Sequence, residues 1–183
     1  MATEQDIMEA FAGESQANRK YATFAEKAQE DGFLNVAKLF RAASKAEEIH
    51  ARRLLRVAGL IQSTADNLKG GIEGETHEFT SMYPEFVKRA QAEGRKDAEI
   101  TFTHAMKAEE VHAGLYKKAL EAVTGGSDLK ADGVKLCPVC GNVFITTPPE
   151  KCPICGVPAS SFQVVEYEPS FFIKQSFKYP PPE

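Results

Sequence analysis

The strongest constraint on this chain is a repeat. Lys45-Ala46-Glu47-Glu48-Ile49-His50 returns as Lys107-Ala108-Glu109-Glu110-Val111-His112, an offset of 62 residues. Ala28-Gln29-Glu30-Asp31-Gly32 matches Ala90-Gln91-Ala92-Glu93-Gly94 at the same offset, whereas Gly13-Glu14 meets Gly74-Glu75 at 61. One residue is therefore inserted between Glu75 and Val87. A unit this long, present twice, cannot stack as a solenoid. A helix pair used twice predicts a four-helix bundle.

The apolar pattern agrees. Helix 2 carries Val36, Phe40, Ala43, Glu47, His50, Leu54 and Val57 in alternating steps of four and three, and helix 4 repeats the rhythm from Ala98 to Val123. Helix 1 contributes Ile7, Phe11, Glu14 and Tyr21, and helix 3 contributes Leu68, Ile72, Glu75, Phe79 and Met82. Such spacing marks seams that face a bundle core. Thr3 with Asp6 predicts an N-terminal capping box, while Gly32, Gly59 and Gly94 stand where C-terminal caps belong. Pro84 falls inside helix 3 and predicts a local kink.

Ionisable residues interrupt each seam. Glu14 and Glu75 do so in helices 1 and 3, and the Glu47/His50 and Glu109/His112 pairs do so in helices 2 and 4. A separation of three puts each Glu and its His on one helical face. Converging buried carboxylates repel one another, and the seams hold no Lys or Arg to compensate. Two metal cations would. Oxygen ligands with some imidazole suit iron or manganese. Glu78 adds a carboxylate that the first half lacks, its counterpart being Ala17.

All four cysteines lie between Cys137 and Cys155, as Cys137-Pro-Val-Cys140-Gly and Cys152-Pro-Ile-Cys155-Gly. Two such knuckles make a tetrahedral thiolate site, which takes zinc or iron; spacing alone favours a structural zinc ribbon. Proline occurs once before residue 125 and nine times after it, so the chain divides. The expected organisation is a helical domain over 1–125, a linker over 126–133, a cysteine domain over 134–168 and an aromatic, proline-rich tail over 169–183. That tail, with Phe171, Phe172, Ile173 and Phe177, is apolar enough to dock on the body or on a partner chain.

A net charge of −4 gives no footing for nucleic acid or an anionic membrane. No apolar run approaches the roughly 18 residues of a membrane span, and the N-terminus lacks a signal-peptide pattern. A cytoplasmic location is the default expectation.

Taken together, Phe11-Ala-Gly-Glu14-Ser-Gln, the two Glu-x-x-His pairs, Gly74-Glu75-Thr-His-Glu78, Met82-Tyr83-Pro84 and the paired CPxCG knuckles resemble the rubrerythrin family over nearly the whole chain. The resemblance implies a mainly α fold: a ferritin-like four-helix bundle followed by a small rubredoxin-like Fe(Cys)4 domain. It implies a non-haem di-iron centre that reduces hydrogen peroxide to water. Electrons would come from a rubredoxin or an NAD(P)H-dependent reductase and be relayed through the four-cysteine centre. Iron is thereby raised above zinc at Cys137, Cys140, Cys152 and Cys155, with zinc an occupant in recombinant protein.

By the same resemblance Glu47 and Glu109 bridge the irons, Glu14 and Glu78 complete one, and Glu75 with His112 the other. Glu78 gives way to His50 on reduction. Five carboxylates over-balance two ferrous ions, and exchanging one for a neutral imidazole removes the excess negative charge. Tyr21 and Tyr83 match positions that hydrogen-bond ligand carboxylates and tune the metal. Asn142 stands where the family often has an aromatic. His77 and His104 match no ligand position.

The link between helices 2 and 3 is short. With helix 2 ending near Gly59 and helix 3 starting near Ala65, about five residues remain, reaching roughly 17 Å. A helix of some 25 residues is about 38 Å long. The expectation is a homodimer, domain-swapped between helices 1–2 and 3–4, unless Gly70-Gly71 unwinds and lengthens the link. Two other functions fit parts of the pattern: a ferritin-like ferroxidase or iron-handling protein, and a structural helical bundle with a zinc ribbon. The first has no use for a one-electron relay, and the second leaves seven converging ligands unexplained.

Overall fold

The computed structural model describes residues 2–166. Its helices are α1 (Ala2–Glu30), α2 (Leu34–Val57), α3 (Thr64–His77), a π-helical turn over Glu78–Met82, α4 (Tyr83–Ala92) and α5 (Lys96–Thr124). Three short strands follow, β1 (Val134–Leu136), β2 (Val143–Phe144) and β3 (Gln163–Val165). The chain forms two compact units, one ending at Ser63 and one beginning at Thr64. The mainly α class is as expected. Among the described residues no helix is long and apolar enough to cross a membrane.

In the first unit α1 and α2 run antiparallel, since Glu14 meets His50, Asn18 meets Ser44 and Phe24 meets Phe40. Small residues let the backbones approach: Ala25, Ala28, Ala37, Ser44 and Ala51 are buried. Among them sits a polar clasp. Asn18 Nδ2 donates to the Ser44 carbonyl at 2.7 Å, and Ser44 Oγ donates to the Asn18 carbonyl at 2.9 Å. Arg19 donates to Asn18 Oδ1, so the buried amide is satisfied on both ends. Two residues of the expected seam, Val36 and Val57, are instead 44% and 71% exposed. A helix pair buries the stripe between its own two axes, here Ala37–Ser44–Ala51, and a seam meant for four helices lies to one side of it.

The second unit repeats the pairing with α3, α4 and α5. An aromatic trio, Tyr21–Phe24–Phe40, recurs as Tyr83–Phe86–Phe102, with centroid distances of 5.6–6.2 Å in the first and 5.5–6.2 Å in the second. Tyr21 and Tyr83 are already 62 apart, so the inserted residue lies between Glu75 and Tyr83. The structure places it: the π-helical turn Glu78–Met82, where the Tyr83 N–H bonds the Glu78 carbonyl five residues back. The helix stays continuous through this turn, and Pro84, which has no N–H to give, sits in the first turn of α4. The extra residue is thus taken up as a one-residue bulge just ahead of Pro84, where the sequence predicts a local kink.

The glycine caps form as expected. At Gly32, with φ +83°, the next residue Phe33 donates its N–H to Ala28 O at 2.8 Å; at Gly59, Leu60 reaches back to Leu55 in the same way. Only glycine adopts this backbone cheaply. Thr3 and Asp6, by contrast, lie inside α1, which starts at Ala2, so they form no capping box. Helix α3 runs unbroken through Gly70-Gly71, leaving six residues, 58–63, between α2 and α3. The expected docking of the tail from residue 169 lies outside the described residues.

Candidate metal centres

In the first unit Glu14, Glu47 and His50 present ligand atoms that all lie within 4.8 Å of one another. His50 Nδ1 is 2.9 Å from Glu47 Oε2 and 3.6 Å from Glu14 Oε1. The short step from Glu47 to His50 is the helical i,i+3 spacing, and Glu14 is brought opposite by the antiparallel pairing of α1.

The second unit builds the same triad from Glu75, Glu109 and His112. His112 Nδ1 is 2.6 Å from Glu109 Oε2 and 3.9 Å from Glu75 Oε1. Burial, then the charge of Glu109, raises the Glu75 carboxyl to about 7. A carboxylate pushed so high belongs to a site short of positive charge, and its hard oxygen and imidazole donors suit iron. The fit to a metal is good.

Glu78 is not part of either triad. Burial raises its carboxyl, with Glu109 adding to the effect, so it stands at the edge of the second triad's field. Tyr83 is raised by burial and then by Glu78, Glu109 and Glu75. Tyr21 packs in its aromatic trio. Neither tyrosine hydroxyl bonds a carboxylate among the described residues.

Two participants have no signature in the sequence. The first is the Gly141 carbonyl, 3.0 Å from His112 Nε2. With that nitrogen occupied, Nδ1 is the atom His112 offers to a metal. The second is Tyr116, whose ring edge lies about 3.1 Å from where a Cβ at Gly71 would be, so a side chain there would push the ring back by a few tenths of an ångström. Its hydroxyl pKa is raised by burial and then by Glu75 and Glu109. Tyr116 follows the seam rhythm, and only its bulk opposite a glycine could have singled it out.

The cysteine module is built symmetrically. Strand β1 is central, pairing antiparallel with β2 and β3, and Phe144 stacks on Phe162 at 4.9 Å. Each knuckle closes alike: Cys137 N–H bonds Asn142 O at 2.8 Å, and Cys152 N–H bonds Val157 O at 2.8 Å. Gly141 and Gly156 turn with φ +79° and +78°. The four cysteines are free. Cys137 Sγ lies 3.5 Å from Cys155 Sγ, and Cys140 Sγ lies 3.5 Å from Cys152 Sγ. Tetrahedral metal–sulfur bonds of about 2.3 Å give sulfur–sulfur edges near 3.8 Å, so four thiolates at this spacing fit one metal. Burial pushes Cys152 up, but N–H groups of Cys155 and Ile154 outweigh it and hold the thiol at about 7. Burial raises Cys140.

Two matching carboxylate–imidazole triads, one in each unit, and a four-thiolate knuckle in the same chain define a di-iron carboxylate protein with an attached one-metal sulfur centre. The comparisons agree. The rubrerythrin family profile matches residues 7–120, and that of the rubrerythrin rubredoxin-like domain matches residues 136–163. Rubrerythrin-2 of Clostridium acetobutylicum is 35% identical, covering 86% of this chain and 93% of that protein. Nigerythrin of Nitratidesulfovibrio vulgaris is 36% identical, covering 88% and 85%. The structure of fully reduced, all-ferrous nigerythrin aligns with a TM-score of 0.54 at 35% identity, covering 89% of this chain and 86% of that one. The chain belongs to the rubrerythrin family. It is an oxidoreductase of the oxidative-stress type, with a di-iron carboxylate site and a rubredoxin-like iron site.

Proposed function

We propose that this chain is a peroxidase, reducing hydrogen peroxide to two waters with two electrons and two protons. The observation that carries the reading is the His112–Gly141 hydrogen bond, which ties the carboxylate triad to the first cysteine knuckle in one unit. A storage protein has no need of such a link. We assign Glu14, Glu47, His50, Glu75, Glu78, Glu109 and His112 to the di-iron site, Tyr21 and Tyr83 to its surroundings, and the four cysteines to the relay. When bound, the irons supply the electrons that cleave the peroxide bond.

The residues do the rest. Glu75 holds a proton near neutral pH before metal arrives and gives it up on loading. His112 is fixed in one tautomer by Gly141. With iron bound, Glu78 and His50 would be the two residues available to alternate as ligands. Rubredoxin or an NAD(P)H-dependent reductase delivers electrons to the cysteine centre, whose four thiols suit a reducing cytoplasm. Residues 1–125 form the reaction domain, 126–133 the linker and 134–168 the electron port.

The assembly we infer is a domain-swapped homodimer. Six residues between α2 and α3 span at most about 20 Å, while the 24-residue α2 is about 36 Å long. Closing a ferritin-like four-helix bundle within one chain would need a link running the length of that helix. A second copy can supply the other pair and cover Val36 and Val57.

The test is stopped-flow mixing of iron-loaded, anaerobically reduced protein with hydrogen peroxide, and separately with dioxygen. Rapid reoxidation by peroxide, with the cysteine centre following the di-iron site, is the expected result. An inert reduced centre, or no iron at the Glu/His site, would overturn the reading.

A further inference from the structure

Asn142 is one of the most buried side chains described, 2% exposed, and among the described residues the other buried side-chain polar atoms find partners. Its Oδ1 has none among the described residues. An unpartnered amide oxygen inside a protein is costly, and an apolar side chain would fill the space without that cost. Something must recommend the other end of the amide. Nδ2 faces Cys152 Sγ at 4.0 Å. The backbone of the same residue holds the opposite knuckle: its carbonyl accepts from Cys137 N–H at 2.8 Å, and its N–H bonds the Cys140 sulfur. Asn142 thus joins the two knuckles, touching one through its main chain and the other through its side chain.

The amide's orientation is set by charge. Turned over, it would aim an oxygen at a thiolate; as it stands it aims an N–H. A donor on a ligand sulfur favours the more electron-rich state of a four-thiolate iron centre, whose net charge falls from −1 ferric to −2 ferrous, and so raises its reduction potential.

We propose that Asn142 is a positioning residue that sets the potential of the rubredoxin-like centre, its side-chain amide donating to Cys152 Sγ and biasing the centre towards the reduced form. The inference rests on the reading of that centre as an iron electron port. It makes the port an acceptor of electrons that is held ready, rather than a neutral wire.

The test is a mediated redox titration of the ferric–thiolate absorption in iron-loaded full-length protein, comparing wild type with N142L, which keeps the size and loses the donor. At a fixed solution potential the ferrous-to-ferric ratio should fall three- to tenfold in N142L, tenfold being about 59 mV for one electron. An unchanged ratio would overturn the proposal while leaving the port intact. If wild-type protein loaded with iron shows no ferric–thiolate absorption, the underlying reading fails instead. Should N142L not hold iron, wild-type protein substituted with cadmium decides by NMR. Coupling between the Asn142 side-chain amide and the metal, through Cys152 sulfur, supports the bond, and its absence from that amide refutes it.

Discussion

His112 reaches two ways at once: its Nδ1 faces Glu109, and its Nε2 meets the carbonyl of Gly141, the residue next to Cys140. One imidazole therefore separates the carboxylate triad from the sulfur cluster. Replacing it should injure both. H112Q is expected to weaken metal binding at the Glu75/Glu109 triad by at least about 10- to 100-fold and to slow peroxide-driven oxidation of the cysteine centre. Iron titration and stopped-flow absorption, read on the same sample, check the two effects. Weakened iron binding with unchanged relay kinetics in the remaining loaded protein would speak against the imidazole as a route.

Glu78 separates turnover from assembly. E78A should retain most of its iron, because both triads remain whole, and should lose about 10-fold or more in peroxide turnover. Loss of both irons on metal analysis would contradict the alternating-ligand role.

Stability of the metal-free protein should fall as pH rises. The Glu75 carboxyl stands at about 7 when folded and at an ordinary 4.5 when unfolded. The folded state therefore binds the proton more tightly, and the stabilisation is complete below pH 4.5 and lost as pH passes 7. The loss is about 3 kcal/mol. Metal-loaded protein should behave oppositely, since metal binding displaces that proton. Urea midpoints of both forms at acid and at neutral pH decide it, and E75Q should flatten the metal-free profile.

The swapped dimer predicts complementation. E47A damages the first helix pair and E109A the second, so each homodimer has one fault in every site. In a swapped heterodimer one site collects both faults and the other has none. Co-expression of the two chains should restore about a quarter of wild-type activity if subunits mix at random. No recovery, with mixed dimers verified by mass, would show that each chain closes its own site.

Much of this was legible because duplication writes itself twice. The matching Glu-x-x-His segments located both triads, since an i,i+3 pair on an antiparallel helix needs only one partner glutamate opposite. The change of offset between Glu75 and Val87 announced an extra residue, but only the backbone could say that it forms a π-helical turn rather than a loop. The seam from Val36 to Val57 reads as apolar, yet both its end residues are exposed within the single chain, because periodicity gives a face and not what covers it. The His112–Gly141 bond spans 29 residues and two kinds of structure, which no local pattern encodes. Asn142 stood out as an unusual residue in a knuckle; its orphaned oxygen and its sulfur neighbour are facts of tertiary packing.

The π-helical turn has one more implication. A perfect duplication would give two interchangeable triads, and a substrate arriving between equivalent metals has no preferred side. The second half breaks that symmetry twice: Glu78 stands where the first half has Ala17, and the π-helical turn that begins at Glu78 adds one residue just after it. The two halves are therefore not interchangeable: the second offers one more carboxylate and an extra backbone step beside it, with neither triad altered.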